Sequence, residues 1–213
     1  MVQKTKAKRG RPREYDPGTA LARATNAFWQ VGFAATSLDD LSGATKMNRP
    51  SLYGAFGDKR ALYAKTLGLY RERSRQAMKE ALGGDDTLRE ALRRVYRSAL
   101  SFYLPVSAKP RGCFMITTAV PEAARDPDVQ AALADGLREI EEAFAARMRL
   151  AQAQGELAKT VDPAMLAKLA SAALYYLGIH ARAGAARSML EAFAEATVDL
   201  ICAAPNTARR GGS

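Results

Sequence analysis

The sequence predicts an all-α protein of about nine helices, and three observations lead to that prediction. Apolar residues recur at helical spacing along almost the whole chain. Capping residues and breaks that contain glycine or proline divide this pattern into segments. No strand-forming run of useful length and no internal repeat is present. The 213 residues, 48% of them hydrophobic, suffice for one domain or for a small domain joined to a larger one.

The net charge of +10 is concentrated near the N-terminus. Residues 1–60 contain 11 Lys or Arg against 5 Asp or Glu, and the first 13 residues contain six basic residues and no acid. A basic segment of this kind attracts nucleic acid by counterion release, although an unstructured solubilising tail has the same composition. We expect residues 1–16 to be a flexible arm, because Gly10 and Pro12 interrupt any helical pattern.

Composition disfavours membrane proteins, secreted proteins and metal sites. No apolar segment reaches the length of a membrane span, and no apolar signal region follows the basic N-terminus, so we expect a soluble cytoplasmic protein. Cys113 and Cys202 lack metal-ligand spacing and suit a reducing compartment. The only histidine, His180, has no ligand-like neighbour and is expected to be a packed or interface residue. We predict no cofactor and no metal.

The first helix is expected at about 17–31, ended by Gly32. Trp29 is expected beside its inner face as a core or interface aromatic residue. That inner face carries an apolar stripe of Leu21, Ala24, Phe28 and Val31.

The later helices are delimited by caps and by a proline-containing loop at about 105–112. Asp58 is a suitable N-cap, and Thr87 and Glu90 have capping-box spacing. The expected helices lie at about 37–45, 48–56, 58–82, 87–104, 113–123 and 127–154, with two more that begin at about 163 and 185.

The last two helices are rich in apolar and small residues. Two such helices at a chain end suit a four-helix dimer interface with a second copy of the chain. Packing within one subunit is the alternative, and it uses the same side chains. The residues concerned are Leu166, Leu169, Ala173, Leu174, Leu177, Leu190, Phe193, Val198 and Ile201.

Residues 36–59 contain two short helices joined by a tight connection. Ser37 and Asp40 have the spacing of a capping box at the start of the first helix. Asn48 is a suitable N-cap for the second helix. Pro50 is tolerated there, because first-turn N–H groups have no partner within the helix. This pattern predicts a helix-turn-helix.

The second of these helices has one inner and one outer side. Leu52 and Phe56, spaced i and i+4, face inward together. A small and uncharged outer side fits a DNA major groove, where Arg49 can reach a guanine edge. Tyr53 and Lys59 are placed for phosphate contacts. The outer side consists of Pro50, Ser51 and Gly54.

The same segment resembles the helix-turn-helix of TetR-family repressors, and the resemblance covers roughly residues 17–65. One position departs from the family pattern. Lys46 stands where the family usually has glycine, so it must adopt a left-handed conformation or alter the turn. The matching residues are Thr36, Ser37, Leu38, Leu41, Ala44, Asn48, Leu52, Tyr53, Phe56 and Lys59.

The resemblance implies a homodimeric transcriptional regulator, most often a repressor, that binds palindromic operator DNA. We expect a basic arm at 1–16, a DNA-binding domain at 17–60, an effector-binding and dimerisation domain at 61–204 and a tail at 205–213. The arm suits a narrow minor groove or phosphates. The predicted DNA contacts are Thr36, Ser37, Lys46, Asn48, Arg49, Pro50, Ser51, Tyr53, Gly54 and Lys59, with Arg11 and Arg13 of the arm.

A regulator of this kind needs an effector that prefers one of two states. Cys113 lies beside Arg111 where a helix begins, a setting that favours a thiolate, and family members similar in the Arg-Gly-Cys region sense electrophiles or oxidants. A buried structural cysteine is the alternative. The candidate effector-binding residues are Phe102, Tyr103, Cys113, Phe114, Phe144, Met148, Tyr175 and Tyr176.

Two other functions can be compared with a repressor. An enzyme is disfavoured, because the sequence has no phosphate-binding glycine loop, no nucleophile elbow and no metal-ligand cluster. A non-specific DNA-packaging protein would share the basic arm and the positive charge. It would not account for a recognition helix or for a C-terminal half with a core of its own.

Overall fold

A computed structural model describes residues 16–106 and 109–203, and within these ranges the chain is all-α. None of the described helices is long and apolar enough to cross a membrane. The predicted arm, with Arg11 and Arg13, and the predicted tail lie outside the described residues. The helices are α1 (Pro17–Ala35), α2 (Leu38–Thr45), α3 (Arg49–Phe56), α4 (Lys59–Leu82), α5 (Leu88–Tyr103), α6 (Val120–Ala123), α7 (Pro127–Ala153), α8 (Pro163–Arg182) and α9 (Arg187–Cys202), with a π-helical turn at Met115–Ala119.

The predicted helix starts are confirmed by their capping hydrogen bonds. The Ser37 hydroxyl accepts from the amide of Asp40, whose carboxylate accepts in return from the amide of Ser37. The side chains of Asn48, Asp58 and Thr87 each accept from one amide of the first turn of α3, α4 and α5. The capping box predicted for Thr87 and Glu90 is half formed, because the Glu90 carboxylate accepts from Arg93 instead. Each cap satisfies an N–H group that the first turn of a helix leaves without a partner.

Two predicted segments differ from the structure in detail. Gly32 breaks the helical geometry of α1 with a φ of +85°, but one more turn follows it, to Ala35. Val31 is 55% exposed and does not belong to the inner stripe. The segment expected as a helix at 113–123 begins with a π-helical turn. Pro121 contributes to this, because it has no N–H group for an α-helical hydrogen bond.

The core consists of two clusters that share α4. The N-terminal part of α4 contributes Leu62 and Tyr63 to a cluster with α1, α2 and α3, and its C-terminal part contributes Met78 and Leu82 to a cluster with α5, α7, α8 and α9. Phe114 comes from the second half of the chain but packs in the first cluster, at 0% exposure. The two halves are therefore joined by buried apolar contacts and by a continuous helix.

Most of the residues predicted for a dimer interface are buried within the subunit. On α8 and α9 the inner face carries Leu166, Ala173, Leu174, Leu177, Leu190, Val198 and Ile201. This corrects the expectation that these side chains face a second copy. A separate apolar stripe is exposed on the outer face of the two helices. It includes Met165, Leu169, Ala172, Ile179, Met189, Ala196 and Leu200, with Tyr176 and Phe193 half-buried.

Candidate DNA interface and effector cavity

The connection between α2 and α3 depends on a left-handed residue. Lys46 has φ of 57° and ψ of 33°, and it is the one non-glycine residue with positive φ in the described ranges. The next residue, Met47, is buried, and its amide donates to the carbonyl of Ser42 at 3.2 Å. The left-handed conformation considered for Lys46 is confirmed. It lets α3 leave the turn without displacing Met47 from the core.

Replacing Lys46 with glycine is expected to raise the free energy of unfolding by about 0.5–1 kcal/mol, since the left-handed strain that is removed exceeds the added entropy of the unfolded chain. Lys46→Ala is the matched control, because it removes the charge and keeps the Cβ atom. Urea unfolding of the two variants measures the difference. Equal midpoints for both variants would show that the turn carries no strain at this residue.

The outer side of α3 is exposed, as its sequence pattern indicates. Pro50, Ser51 and Gly54 are all exposed, and a Cβ atom at Gly54 would meet nothing within 4 Å. Leu52 and Phe56 are buried on the inner side. The outer side therefore offers a close approach to a flat partner surface, with no large side chain in the way.

Arg49 is held at one edge of this outer side by α2. Its Nη2 and Nε atoms lie 2.7 and 3.1 Å from Oδ1 of Asp39, and both side chains are mostly exposed. The hydrogen bond with Asp39 raises the pKa of Arg49. Asp39 could not be predicted from the sequence, because a residue ten positions away shows no helical spacing with Arg49.

The other predicted contact residues differ in exposure. Tyr53 is 43% exposed, and Ser37, Lys46 and Asn48 also lie at the surface. The structure corrects the prediction that Thr36 contacts DNA. Its side chain is 1% exposed, and its hydroxyl donates to the carbonyl of Gly32 at 2.6 Å. That hydroxyl is used to close the break at the end of α1 and is not available to a phosphate.

Lys59 lies at the first turn of α4. Its Nζ atom is 4.4 Å from the centre of the Phe33 ring, and Asp58 caps the helix beside it. The ring and the cation attract each other and fix the ammonium group close to the helix N-terminus. The positive end of the helix and the ammonium group both favour an anion at this position.

A cavity of about 110 Å³ lies between α1, α4, α5 and α8. Of the residues predicted for effector binding, Phe102, Tyr103, Cys113 and Tyr175 line it. Its other principal lining residues were not predicted for effector binding. They are Asn26, Trp29, Tyr70, Arg73, Arg111 and Leu174.

The remaining four candidates for effector binding are corrected by the structure. None of them lines this cavity. Phe144 and Met148 are 0% exposed in the C-terminal core, and Phe114 is 0% exposed against Trp29, Tyr63 and Tyr70. Tyr176 stacks between His180 and Phe193, with 4.0 Å between ring centres in each pair.

Cys113 lies at the wall of the cavity among phenol groups. It is 3% exposed, and its Sγ atom is 3.4 Å from Oη of Tyr70. Burial raises the pKa values of Tyr70 and Tyr103 well above their usual range, and raises that of Tyr175 to about 12. All three phenols therefore stay protonated at neutral pH and can donate hydrogen bonds into the cavity.

The described contacts of the Arg111 side chain are with residues other than Cys113. Its Nε donates to the carbonyl of Phe102 at 3.0 Å, its Nη1 donates to Oδ1 of Asn26 at 3.1 Å, and its guanidinium lies 4.0 Å from the centre of the Trp29 ring. Burial lowers the pKa of Arg111. The guanidinium thus connects the cavity to α1.

Three further hydrogen bonds attach segments next to the cavity wall to α1. The indole N–H of Trp29 donates to the carbonyl of Gly112 at 3.1 Å. Arg182, at the end of α8, donates to the carbonyls of Trp29 and Gln30 at 2.8 and 2.7 Å. These carbonyls precede the break at Gly32, where a helix leaves its last carbonyls without partners. Segments next to the cavity wall are therefore bonded directly to the last part of α1.

A second depression, of about 390 Å³, lies between α4 and α7. It is lined by Arg71 and Arg147, which are paired with Glu139 at 2.6 Å and with Glu156 at 3.1 Å. None of the residues predicted for effector binding lines it. Its lining also includes none of the residues that form the hydrogen bonds between the cavity wall and α1.

Comparison with known proteins agrees with this arrangement. Residues 20–66 match the family model described as bacterial regulatory proteins of the tetR family, and residues 87–197 match the model of the tetracyclin repressor-like C-terminal domain. The HTH-type transcriptional repressor ComR of Escherichia coli strain K12 is 30% identical over 199 residues, which are 93% of this chain and 95% of ComR.

Solved structures show the same fold. A cysteine mutant of the TetR family transcriptional regulator CifR, complexed with 26-bp double-strand operator DNA, has a TM-score of 0.80 at 32% identity, covering 89% of this chain and 98% of that chain. The reduced form of E. coli NemR has a TM-score of 0.73 at 20% identity, covering 87% and 96% of the two chains. The second of these similarities concerns the fold alone.

Proposed function

This chain belongs to the TetR family of bacterial transcriptional regulators, and we propose that it is a repressor that an effector releases from operator DNA. It is a regulator and not an enzyme. The observation that carries the DNA-binding assignment is the exposed side of α3, with small residues along it and Arg49 held at its edge by Asp39. Within this assignment we keep residues 17–60 as the DNA-binding unit and 61–204 as the effector and dimer unit, with α4 joining them.

The DNA contacts are assigned to α3 and its flanks. Arg49, Pro50, Ser51 and Gly54 face the major groove, since their side of α3 is opposite its buried side chains. The proposed contacts at the phosphates and at the edges of the interface are Ser37, Lys46, Asn48, Tyr53 and Lys59, with Arg11 and Arg13 of the N-terminal arm in the minor groove.

The binding of a specific site is tested by selecting DNA from a random pool and by footprinting the DNA that flanks the gene. A repressor enriches one palindromic sequence and protects that sequence alone. Uniform protection and no enrichment would support a non-specific packaging protein. The relatives named as repressors, and CifR with its operator, favour the first outcome.

Arg49→Ala is expected to relax base preference at one position of each half-site, by about 1–3 kcal/mol of discrimination. Tyr53→Phe is the matched comparison, because losing a phosphate hydrogen bond weakens binding to every sequence alike, by about 0.5–1.5 kcal/mol. Affinities for the selected site and for its single-base variants measure both effects. An unchanged base preference in Arg49→Ala would contradict the assignment of this residue to the groove.

A homodimer places two such helices on one palindrome. The outer stripe of α8 and α9 supports this assembly, since it leaves side chains such as Leu169 and Leu200 exposed at 54% and 76%. Two helices from each subunit then form a four-helix interface. The dimer acts in the cytoplasm, on the chromosomal DNA.

We assign effector binding to the cavity beside Cys113, because its wall is hydrogen-bonded to the end of α1. A ligand that moves Arg111 or Gly112 also moves Asn26 or Trp29, and with them the helix that supports α2 and α3. An effector that binds better to the displaced arrangement lowers the affinity for operator, and bound operator lowers the affinity for the effector by the same free energy.

Cys113 is the proposed sensing thiol if the effector is an electrophile or an oxidant. It is reached only through the cavity, since its side chain is 3% exposed. Cys113→Ser is expected to keep operator affinity and to lose release by a thiol-reactive compound such as N-ethylmaleimide. Cys202→Ser, which alters a half-buried cysteine of α9, is the matched control and should respond like the unaltered protein. Normal release of the Cys113→Ser protein would overturn the sensing role.

A further inference from the structure

The guanidinium of Arg111 is a half-buried charge whose partners are all neutral. It is bonded to a backbone carbonyl and to an amide oxygen, and it stacks on an indole ring. Among the described residues no carboxylate forms an ion pair with it, and burial lowers its pKa. A carboxylate would supply the opposite charge that the described residues around this guanidinium do not provide.

The rest of the cavity wall also suits an anion. The two charged residues of the lining, Arg73 and Arg111, are both cations, and no Asp or Glu lines the cavity. Tyr175 has a buried hydroxyl without a hydrogen-bond partner among the described residues. With protonated phenols and guanidinium groups, the polar part of the wall offers donors and no carboxylate acceptors.

The apolar part of the wall limits the size and character of the ligand. Trp29, Phe102, Val95 and Leu174 supply aromatic and aliphatic surface. A cavity of about 150 Å³ takes up one benzene ring. The volume of about 110 Å³ is smaller, so it suits a short branched aliphatic chain with its polar end at Arg111.

We propose that this cavity binds a small organic carboxylate, with the carboxylate group on Arg111 and the apolar body against Trp29 and Phe102. This inference rests on the proposed function and names the chemical class of its effector. The second Nη atom of Arg111 donates to no described residue, so its N–H groups can donate to a carboxylate oxygen of the ligand. A stronger pull by the carboxylate draws the guanidinium away from Asn26 and loosens its contact with α1.

The test is calorimetric titration of the full chain with 2-methylpropanoate and with 3-methylbutanoate, each compared with its neutral amide. We expect the acids to bind with millimolar affinity or better and the amides to bind at least roughly tenfold more weakly. In Arg111→Gln the acids should lose affinity by about 10- to 100-fold while the amides change little. The ratio of the affinity for an acid to the affinity for its amide separates the loss of charge from any damage to packing.

Several outcomes would overturn the proposal. These are equal binding of acids and amides by the unaltered protein, absence of binding by both acids, or an unchanged ratio in Arg111→Gln. A larger loss of acid affinity in Arg73→Gln than in Arg111→Gln would also contradict the assignment of the carboxylate to Arg111. Operator selection on the same preparation separates this failure from that of the proposed function. If the chain selects an operator but binds no acid, the proposed repressor function stands and the effector class is wrong. If it binds acids but selects no operator, the proposed repressor function is wrong.

Discussion

Replacing Phe114 with alanine is expected to lower the free energy of unfolding by about 3–5 kcal/mol. The ring is 0% exposed, and its centre lies 5.4 Å from the ring centres of Trp29 and Tyr70 and 6.1 Å from that of Tyr63. Removing it leaves a cavity where α1, α4 and the π-helical turn meet. The surrounding aromatic rings are rigid and cannot fill the space by changing rotamer.

The matched control for Phe114→Ala is Phe102→Ala. Phe102 loses the same atoms, but it is 42% exposed and lines the effector cavity. We expect it to cost less than about half as much, because less apolar surface is buried to begin with. Urea unfolding followed by tryptophan fluorescence, from the single Trp29, measures both. A cost for Phe114→Ala no larger than that for Phe102→Ala would contradict the central place given to this ring.

Replacing Gly112 with alanine is expected to lower the free energy of unfolding by about 2–5 kcal/mol, from left-handed strain of about 1–2 and overlap of about 1–3. Gly112 has φ of +64°, and its Cβ atom would lie 2.3 Å from the carbonyl oxygen of Gly178 and 3.0 Å from Cβ of Arg182. Both neighbours belong to α8, so the helix must move away from the segment that precedes the π-helical turn.

Gly155→Ala separates the two contributions to this cost. Gly155 has φ of +78°, but a Cβ atom there would meet nothing within 4 Å, so this variant carries the strain alone. We expect Gly112→Ala to be the more destabilised by about 1–3 kcal/mol. Equal unfolding free energies of the two variants would show that α8 moves away from the added methyl group at residue 112 without an energetic cost. Because the Gly112 carbonyl accepts from Trp29, we also expect Gly112→Ala to bind operator more weakly than Gly155→Ala.

The DNA-binding unit, residues 17–60, is predictable from its sequence because the determinants of its structure are local. A capping box depends on residues three positions apart, and the inner side of α3 depends on residues four apart. Ser37, Asp40, Asn48, Leu52 and Phe56 therefore lie where the sequence places them. Thr36 is the exception, since the acceptor of its hydroxyl exists only where Gly32 breaks α1.

The effector cavity is much less predictable, because its wall is assembled from distant segments. Trp29, Tyr70, Arg111 and Tyr175 come from four parts of the chain, and no spacing relates them. Aromatic residues in a helical stripe have the same pattern whether they line a cavity or fill a core. Phe144 was predicted for the cavity on that pattern and lies in the core.

The helical fold class, the helix-turn-helix with its caps and the basic N-terminal region follow from the amino-acid sequence alone, since propensity, capping and charge act within a few residues of the chain. Three features depend on tertiary packing. They are the apolar stripe of α8 that faces inward, the aromatic residues around Cys113, and the bonds of Arg111 and Arg182 to α1. Burial and hydrogen bonding between distant segments depend on how the helices pack, and that packing is a property of the whole chain.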